Sequence, residues 1–188
     1  MDAFLLSTGL VALAEVGDKT QMLSFILAAR YQRPLPIILG ILVATLANHG
    51  LAAYLGQLIA ELLDPEALRW ILGLGFIAMA VWILIPDKEE ELAPDDQQGR
   101  AFWKIFNLTL LLFFLAEMGD KTQIATIALA AELQSVVWVI LGTTLGMMVA
   151  NVPAVLVGER LANRLPDVLI RRLAALGFLL TGIPVLLF

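Results

Sequence analysis

The chain of 188 residues is 60% hydrophobic and 15% charged, with a mean hydropathy of +0.88. That is too little polar surface to coat a soluble globule, so the bilayer is its natural solvent. With no cysteine and one histidine, disulfides, thiolate metal sites, thiol nucleophiles and zinc-hydrolase clusters are excluded, and any chemistry must run on oxygen and nitrogen ligands. The net charge of -5 is mostly one stretch, because residues 87 to 100 carry six acids against Lys88 and Arg100; nothing in it points to nucleic acid.

A membrane-crossing helix needs roughly 20 apolar residues. Breaks in the pattern mark six candidates, at 3 to 29, 34 to 60, 68 to 86, 103 to 131, 135 to 158 and 169 to 188. The first has no basic region ahead of it and runs past signal-peptide length, so a span is expected rather than a cleaved leader. About twelve residues into it, near mid-bilayer at roughly 1.5 Å per residue, lies Glu15-Val16-Gly17-Asp18-Lys19-Thr20-Gln21. Read as one continuous helix, Glu15, Asp18, Lys19 and Gln21 share a face and Thr20 points away. Met22 returns to the face of Glu15, where a thioether would favour Mn2+, although packing is the plainer reading.

The second span carries Asn48 and His49 near its middle. Between the third and fourth spans, residues 87 to 102 form an acidic linker whose Pro94, Gly99 and paired glutamines promise little structure. The linker could also gather cations by electrostatic steering. In the fourth span the motif returns as Glu117-Met118-Gly119-Asp120-Lys121-Thr122-Gln123, and the fifth sets Asn151 two residues before Pro153. Pro153 cannot donate to the carbonyl of Val149, and that oxygen with those of Asn48 and Asn151 could complete a coordination shell. Interhelical hydrogen bonding by the asparagines is an equal alternative. His49 has no histidine counterpart and reads as a core or pathway residue rather than a ligand.

The sequence therefore predicts an all-α integral membrane protein. Sliding it against itself by 102 positions aligns residues 13–21 with 115–123, with one mismatch in nine, and keeps register through Gly40 and Gly142, Gly56 and Gly158, and Leu74-Gly75-Phe76 and Leu176-Gly177-Phe178. Residues 1–86 and 103–188 are thus two three-helix repeats around the 87–102 linker. An odd number of spans makes them inverted, an arrangement common in secondary transporters. Alternating connections put Arg30, Arg33, Lys88, Arg100, Lys104, Arg160, Arg164, Arg171 and Arg172 on one side and Arg69 alone on the other. The positive-inside rule makes the first side cytoplasmic and both termini exterior, as expected of a multi-pass protein of the bacterial inner membrane.

Brought together on a pseudo-two-fold axis, Glu15, Asp18, Glu117 and Asp120 would surround one centre, with Lys19 and Lys121 at its edge and Gln21, Gln123, Thr20 and Thr122 in support. Four negative charges against two positive leave -2, which a divalent cation would neutralise. Crowded carboxylates in a low dielectric would take up protons in its place. Hard oxygen ligands favour Mn2+, Ca2+ or Mg2+. The bland alternative pairs Glu15 with Lys19 and Glu117 with Lys121 as i,i+4 salt bridges that glue helices; eight polar residues in two mid-membrane clusters exceed what packing requires.

The paired motifs resemble those of uncharacterised protein family 0016, the Ca2+/Mn2+:H+ exchangers of Golgi, chloroplasts and bacteria. The resemblance covers essentially the whole chain, through Glu15, Gly17, Asp18, Lys19 and Thr20 and through Glu117, Gly119, Asp120, Lys121 and Thr122. It implies a cation/proton exchanger, without a cofactor, whose acidic residues handle the ion, and for a short bacterial-type member Mn2+ export. Alternatives are a Ca2+/H+ exchanger, a carrier of a cationic organic substrate, whose ammonium sites Lys19 and Lys121 would already fill, and a passive channel. An intramembrane metalloprotease lacks its histidine pair. Partners are the lipid bilayer and the transported cation, with an oligomer possible.

Overall fold

The computed structural model describes residues 2–85, 101–157 and 167–187. Among these the chain is entirely helical: α1 (Asp2–Glu15), α2 (Lys19–Tyr31), α3 (Pro34–Leu62), α4 (Pro65–Ile83), α5 (Phe102–Glu117), α6 (Lys121–Leu133), α7 (Val136–Val157) and α8 (Asp167–Leu187). The acidic linker expected at 87–102 lies outside the described residues except for Ala101 and Phe102, as do Gly158, Arg160 and Arg164.

Helix boundaries follow local chemistry. Pro34 and Pro65 sit in the first turns of α3 and α4, where no amide hydrogen is needed. Asp64 caps α4 by accepting from the amides of Glu66 and Ala67 at 3.1 and 2.9 Å. α2 and α6 end alike, on Gln32 and Gln134 in the left-handed conformation, with their amides on the carbonyls of Ala28 and Ala130.

Two of the expected spans are not continuous helices. The stretch 3–29 is divided between α1 and α2 at Val16-Gly17-Asp18, and 103–131 between α5 and α6 at Met118-Gly119-Asp120, where the axis bends by 70°. Gly17 and Gly119 have φ of 78° and 74°, a region that glycine enters without steric cost and that ends an α-helix. By length and composition, Pro34–Leu62, Pro65–Trp82 and Val136–Leu156 can each cross a bilayer, and the bent pair α5–α6 is a fourth such segment if taken as one.

Packing runs mainly between the two halves of the chain. α7 lies against α1 and α2, α3 against α5 and α6, and α4 against α8. Glycines set the close approaches, in equivalent places. A Cβ on Gly40 would lie 2.7 Å from Thr109 Cβ and 2.9 Å from the carbonyl of Phe106, and one on Gly142 would lie 2.6 Å from the carbonyl of Phe4 and 3.0 Å from Ser7 Cβ. Further along, Gly56 meets Ile127 and Ala130, so α3 runs parallel to α5 and α6. Gly146 meets Thr8 and Ala12, so α7 runs parallel to α1. α4 and α8 are antiparallel, with Gly73 against Leu186 and Gly182 against Phe76. One apolar core forms around Leu10, Phe76, Leu129 and Phe178, and another around Leu27, Ile41, Ile105 and Phe113. Large apolar side chains such as Leu51, Leu55, Val137 and Leu180 cover the outside, as a lipid-facing surface requires.

Candidate cation site

Each break is built the same way. The amide of Gly17 donates to Gln21 Oε1 at 2.9 Å and that of Gly119 to Gln123 Oε1 at 2.7 Å. The amides of Asp18 and Asp120 donate to the carbonyls of Glu15 and Glu117, both at 3.1 Å. Thr20 Oγ1 donates to Glu15 Oε2 at 2.6 Å, and Thr122 Oγ1 to Glu117 Oε2 at 2.8 Å. A glutamate thus closes each upstream helix. An extended aspartate opens each downstream one, at the positive end of the helix dipole.

The two breaks meet inside the bundle. Glu15, Asp18 and Asp120 are buried, and each offers an oxygen within 4.8 Å of the others. Glu117 is fully buried at the second break, with its Oε2 on Thr122. Lys19 Nζ reaches Asp120 Oδ1 at 3.0 Å, and Lys121 Nζ stands 4.0 Å from Asp18 Oδ1. Glu15 Oε1, Glu117 Oε1 and Asp120 Oδ2 are buried without a hydrogen bond among the described residues. Buried carboxylate oxygens left unsatisfied are costly unless something positive meets them, and a hard divalent cation or protons would do so.

Several expectations from the sequence are overturned, all because the motif is a break and not a turn of helix. Thr20 does not point away from Glu15; it is buried and bonded to it. The lysines do not pair with the glutamates four residues before them. They cross to the aspartate of the other half. The amide oxygens of Gln21 and Gln123 turn onto their own glycines, while their Nε2 atoms donate to the carbonyl of Ala150 at 3.0 Å and to Asn48 Oδ1 at 3.1 Å.

Both asparagines hydrogen-bond between helices. Asn48 Nδ2 donates to the carbonyl of Phe114 at 2.9 Å, and Asn151 Oδ1 accepts from Ser24 at 2.7 Å. Near Pro153, the carbonyl that takes Gln21 is that of Ala150, one residue beyond Val149, whose own side chain lies on the outer surface. Met22 and its counterpart Ile124 also lie on that surface. His49 is fully buried, and neither ring nitrogen has a hydrogen bond. Ser24 was not singled out in the sequence; its place four residues after Thr20 is the signal that could have found it.

Apolar helices enclosing paired, buried carboxylates at two helix breaks define a class: a membrane carrier of cations, not an enzyme. The chain belongs to the divalent cation/proton antiporter GDT1 family, which it matches over residues 3–91 and 105–188. This bears out the exchanger resemblance of the paired motifs. It is 49% identical to a proposed manganese exporter of Vibrio cholerae serotype O1, over 100% of this chain and 92% of that protein. It is 30% identical to a GDT1-like protein of Synechocystis (97% of this chain, 96% of the relative) and 28% identical to GDT1-like protein 5 of Arabidopsis thaliana (100% and 96%). No solved structure matches the chain.

Proposed function

We propose that the protein exports Mn2+ from the bacterial cytoplasm in exchange for protons, through one mid-membrane site made by Glu15, Asp18, Glu117 and Asp120. The observation that carries this is the convergence of acidic groups from two equivalent breaks, with buried carboxylate oxygens that no donor among the described residues satisfies. The cation leaves as protons take its place on the carboxylates, which keeps the buried charge near balance at every stage. Gln21, Gln123, Asn48, Asn151, Thr20 and Thr122 hold the breaks in shape. Manganese is favoured over calcium by the similarity to the Vibrio cholerae protein.

In this reading α1–α2 and α5–α6 are each one broken span, giving six spans in two inverted repeats, 1–86 and 103–188, with both termini outside the inner membrane. Helix directions support it. α3 follows α2 after only Gln32 and Arg33, a connection that turns the chain back, yet α3 runs parallel to α5 and α6. The equivalent segments α1–α2 and α5–α6 then run oppositely, and half-helix ends facing a central site are a common device of such carriers.

Purified protein in liposomes, loaded with a pH-sensitive dye and offered Mn2+, Ca2+ or Mg2+ in turn, tests the whole reading. Mn2+ flux coupled to opposite proton movement is expected. Ca2+ flux alone would move the assignment to a calcium exchanger, and metal flux with no proton signal would replace exchange by passive conduction.

A further inference from the structure

The two ion pairs that cross between the halves are equivalent in sequence and unequal in structure. Lys19 Nζ sits on Asp120 Oδ1 at 3.0 Å, and the lysine side chain is 24% exposed against 5% for the aspartate. Lys121 is 3% exposed, stands 4.0 Å from Asp18 Oδ1, and donates to the carbonyl of Ile85 at 3.3 Å. Asp120 is also one of the three residues whose oxygens converge within 4.8 Å. A divalent cation and the Lys19 ammonium therefore compete for the same carboxylate.

We propose that Lys19 is a tethered competitor of the transported cation: it occupies Asp120 when the cation is absent, swings off toward its exposed side when the cation binds, and returns to expel it. This rests on the proposed function of the site. Geometry makes the roles unequal, because Lys19 is partly exposed, whereas Lys121 is enclosed and also held by a backbone carbonyl. Lys121 is the static partner that offsets part of the buried negative charge. A tethered ammonium keeps the site from holding its cation too tightly, which a carrier needs in order to release it.

The test measures Mn2+ binding to detergent-purified protein by calorimetry, alongside flux in liposomes. Lys19→Gln should bind Mn2+ at least about tenfold more tightly than wild type, since a competing positive charge about 3 Å from a ligand oxygen is gone, while its flux falls. Lys121→Gln should shift affinity less. As the chain has no cysteine, Lys19→Cys can be modified singly: an aminoethyl methanethiosulfonate restores an ammonium and should return affinity toward wild type, while the neutral methyl reagent should not. A structural role would not distinguish the two reagents. Unchanged or weaker Mn2+ binding by a folded Lys19→Gln protein, or equal rescue by both reagents, would overturn the proposal. Absence of Mn2+ binding by the wild type would instead overturn the function on which it rests.

Discussion

The two breaks share one motif but not one environment. At the first, Gln21 is buried and its amide is tied to the backbone of α7. At the second, Met118 and Gly119 lie on the surface and Gln123 is half-buried, its Nε2 shared between the side chains of Asn48 and Met118. The half-buried lysine, Lys19, belongs to the first motif by sequence but to the second break by contact, and the enclosed Lys121 does the reverse. One lysine of the site is therefore partly exposed and the other enclosed. Repetition in sequence fixes the chemistry of each copy, and packing decides which copy can be reached.

The chemical equality of the breaks is the first thing to challenge. Glu15→Gln, Asp18→Asn, Glu117→Gln and Asp120→Asn each remove one negative charge at constant size, and each should lower Mn2+ flux by about 100-fold or more, given the strength of charge interactions in a buried site. The losses should be alike for the two halves, in protein that still inserts. A first-half loss far larger than the second-half one would carry the inequality from access into chemistry.

The threonines come next. Thr20→Val and Thr122→Val delete the hydroxyl donors to Glu15 and Glu117, and loss of a charge-assisted hydrogen bond of about 1.5–3 kcal/mol should reduce flux roughly ten- to hundredfold, with Ser substitutions restoring most of it. Full activity of both Val proteins would remove the threonines from the site. Access is probed more directly by placing single cysteines at Gln21 and Gln123 in this cysteine-free chain and timing their alkylation; the residue-123 thiol should react faster. A faster residue-21 thiol would reverse the comparison.

Gly119 has open space where a Cβ would stand but a φ of 74°, so Gly119→Ala should cost only the left-handed backbone penalty of about 1–2 kcal/mol, read as a lower melting temperature. The smallest effect is expected of His49→Leu. Neither ring nitrogen is bonded, and replacing an unsatisfied buried polar group by an apolar one is close to neutral. Flux within about twofold of wild type would keep it outside the site, while a collapse of flux in stable protein would put His49 on the cation's path.

The all-helical fold was legible because apolar runs this long leave no other way to satisfy a backbone in lipid. The gathering of Glu15, Asp18 and Asp120 with the two lysines was legible because charge inside long apolar runs is rare. The helical wheel misled because it assumed an unbroken helix: once Gly17 turns left-handed, Thr20 swings back to Glu15 and Lys19 swings away from it. Glycine beside aspartate is a breaker signal that the apolar pattern on either side concealed. The crossing of Lys19 to Asp120 was out of reach of the sequence, since intrahelical spacing says nothing about which residues of the two halves face each other. Asn48 and Asn151 were noticed for their depth, and only packing distinguishes a brace from a ligand.

The crossed ion pairs also bear on how the protein is made. Lys19 waits for Asp120, and Asp18 for Lys121. At about 5–20 residues per second of synthesis, the first helices spend roughly 5–20 s in or beside the insertion machinery before their partners emerge. Throughout that interval a carboxylate-rich, lysine-bearing segment must stay in a membrane that disfavours it. The nascent first half is thus the stage at which a quality-control protease or an insertase has the most to recognise, and substitutions such as Asp120→Asn should act on the lifetime of the young chain as well as on the finished carrier.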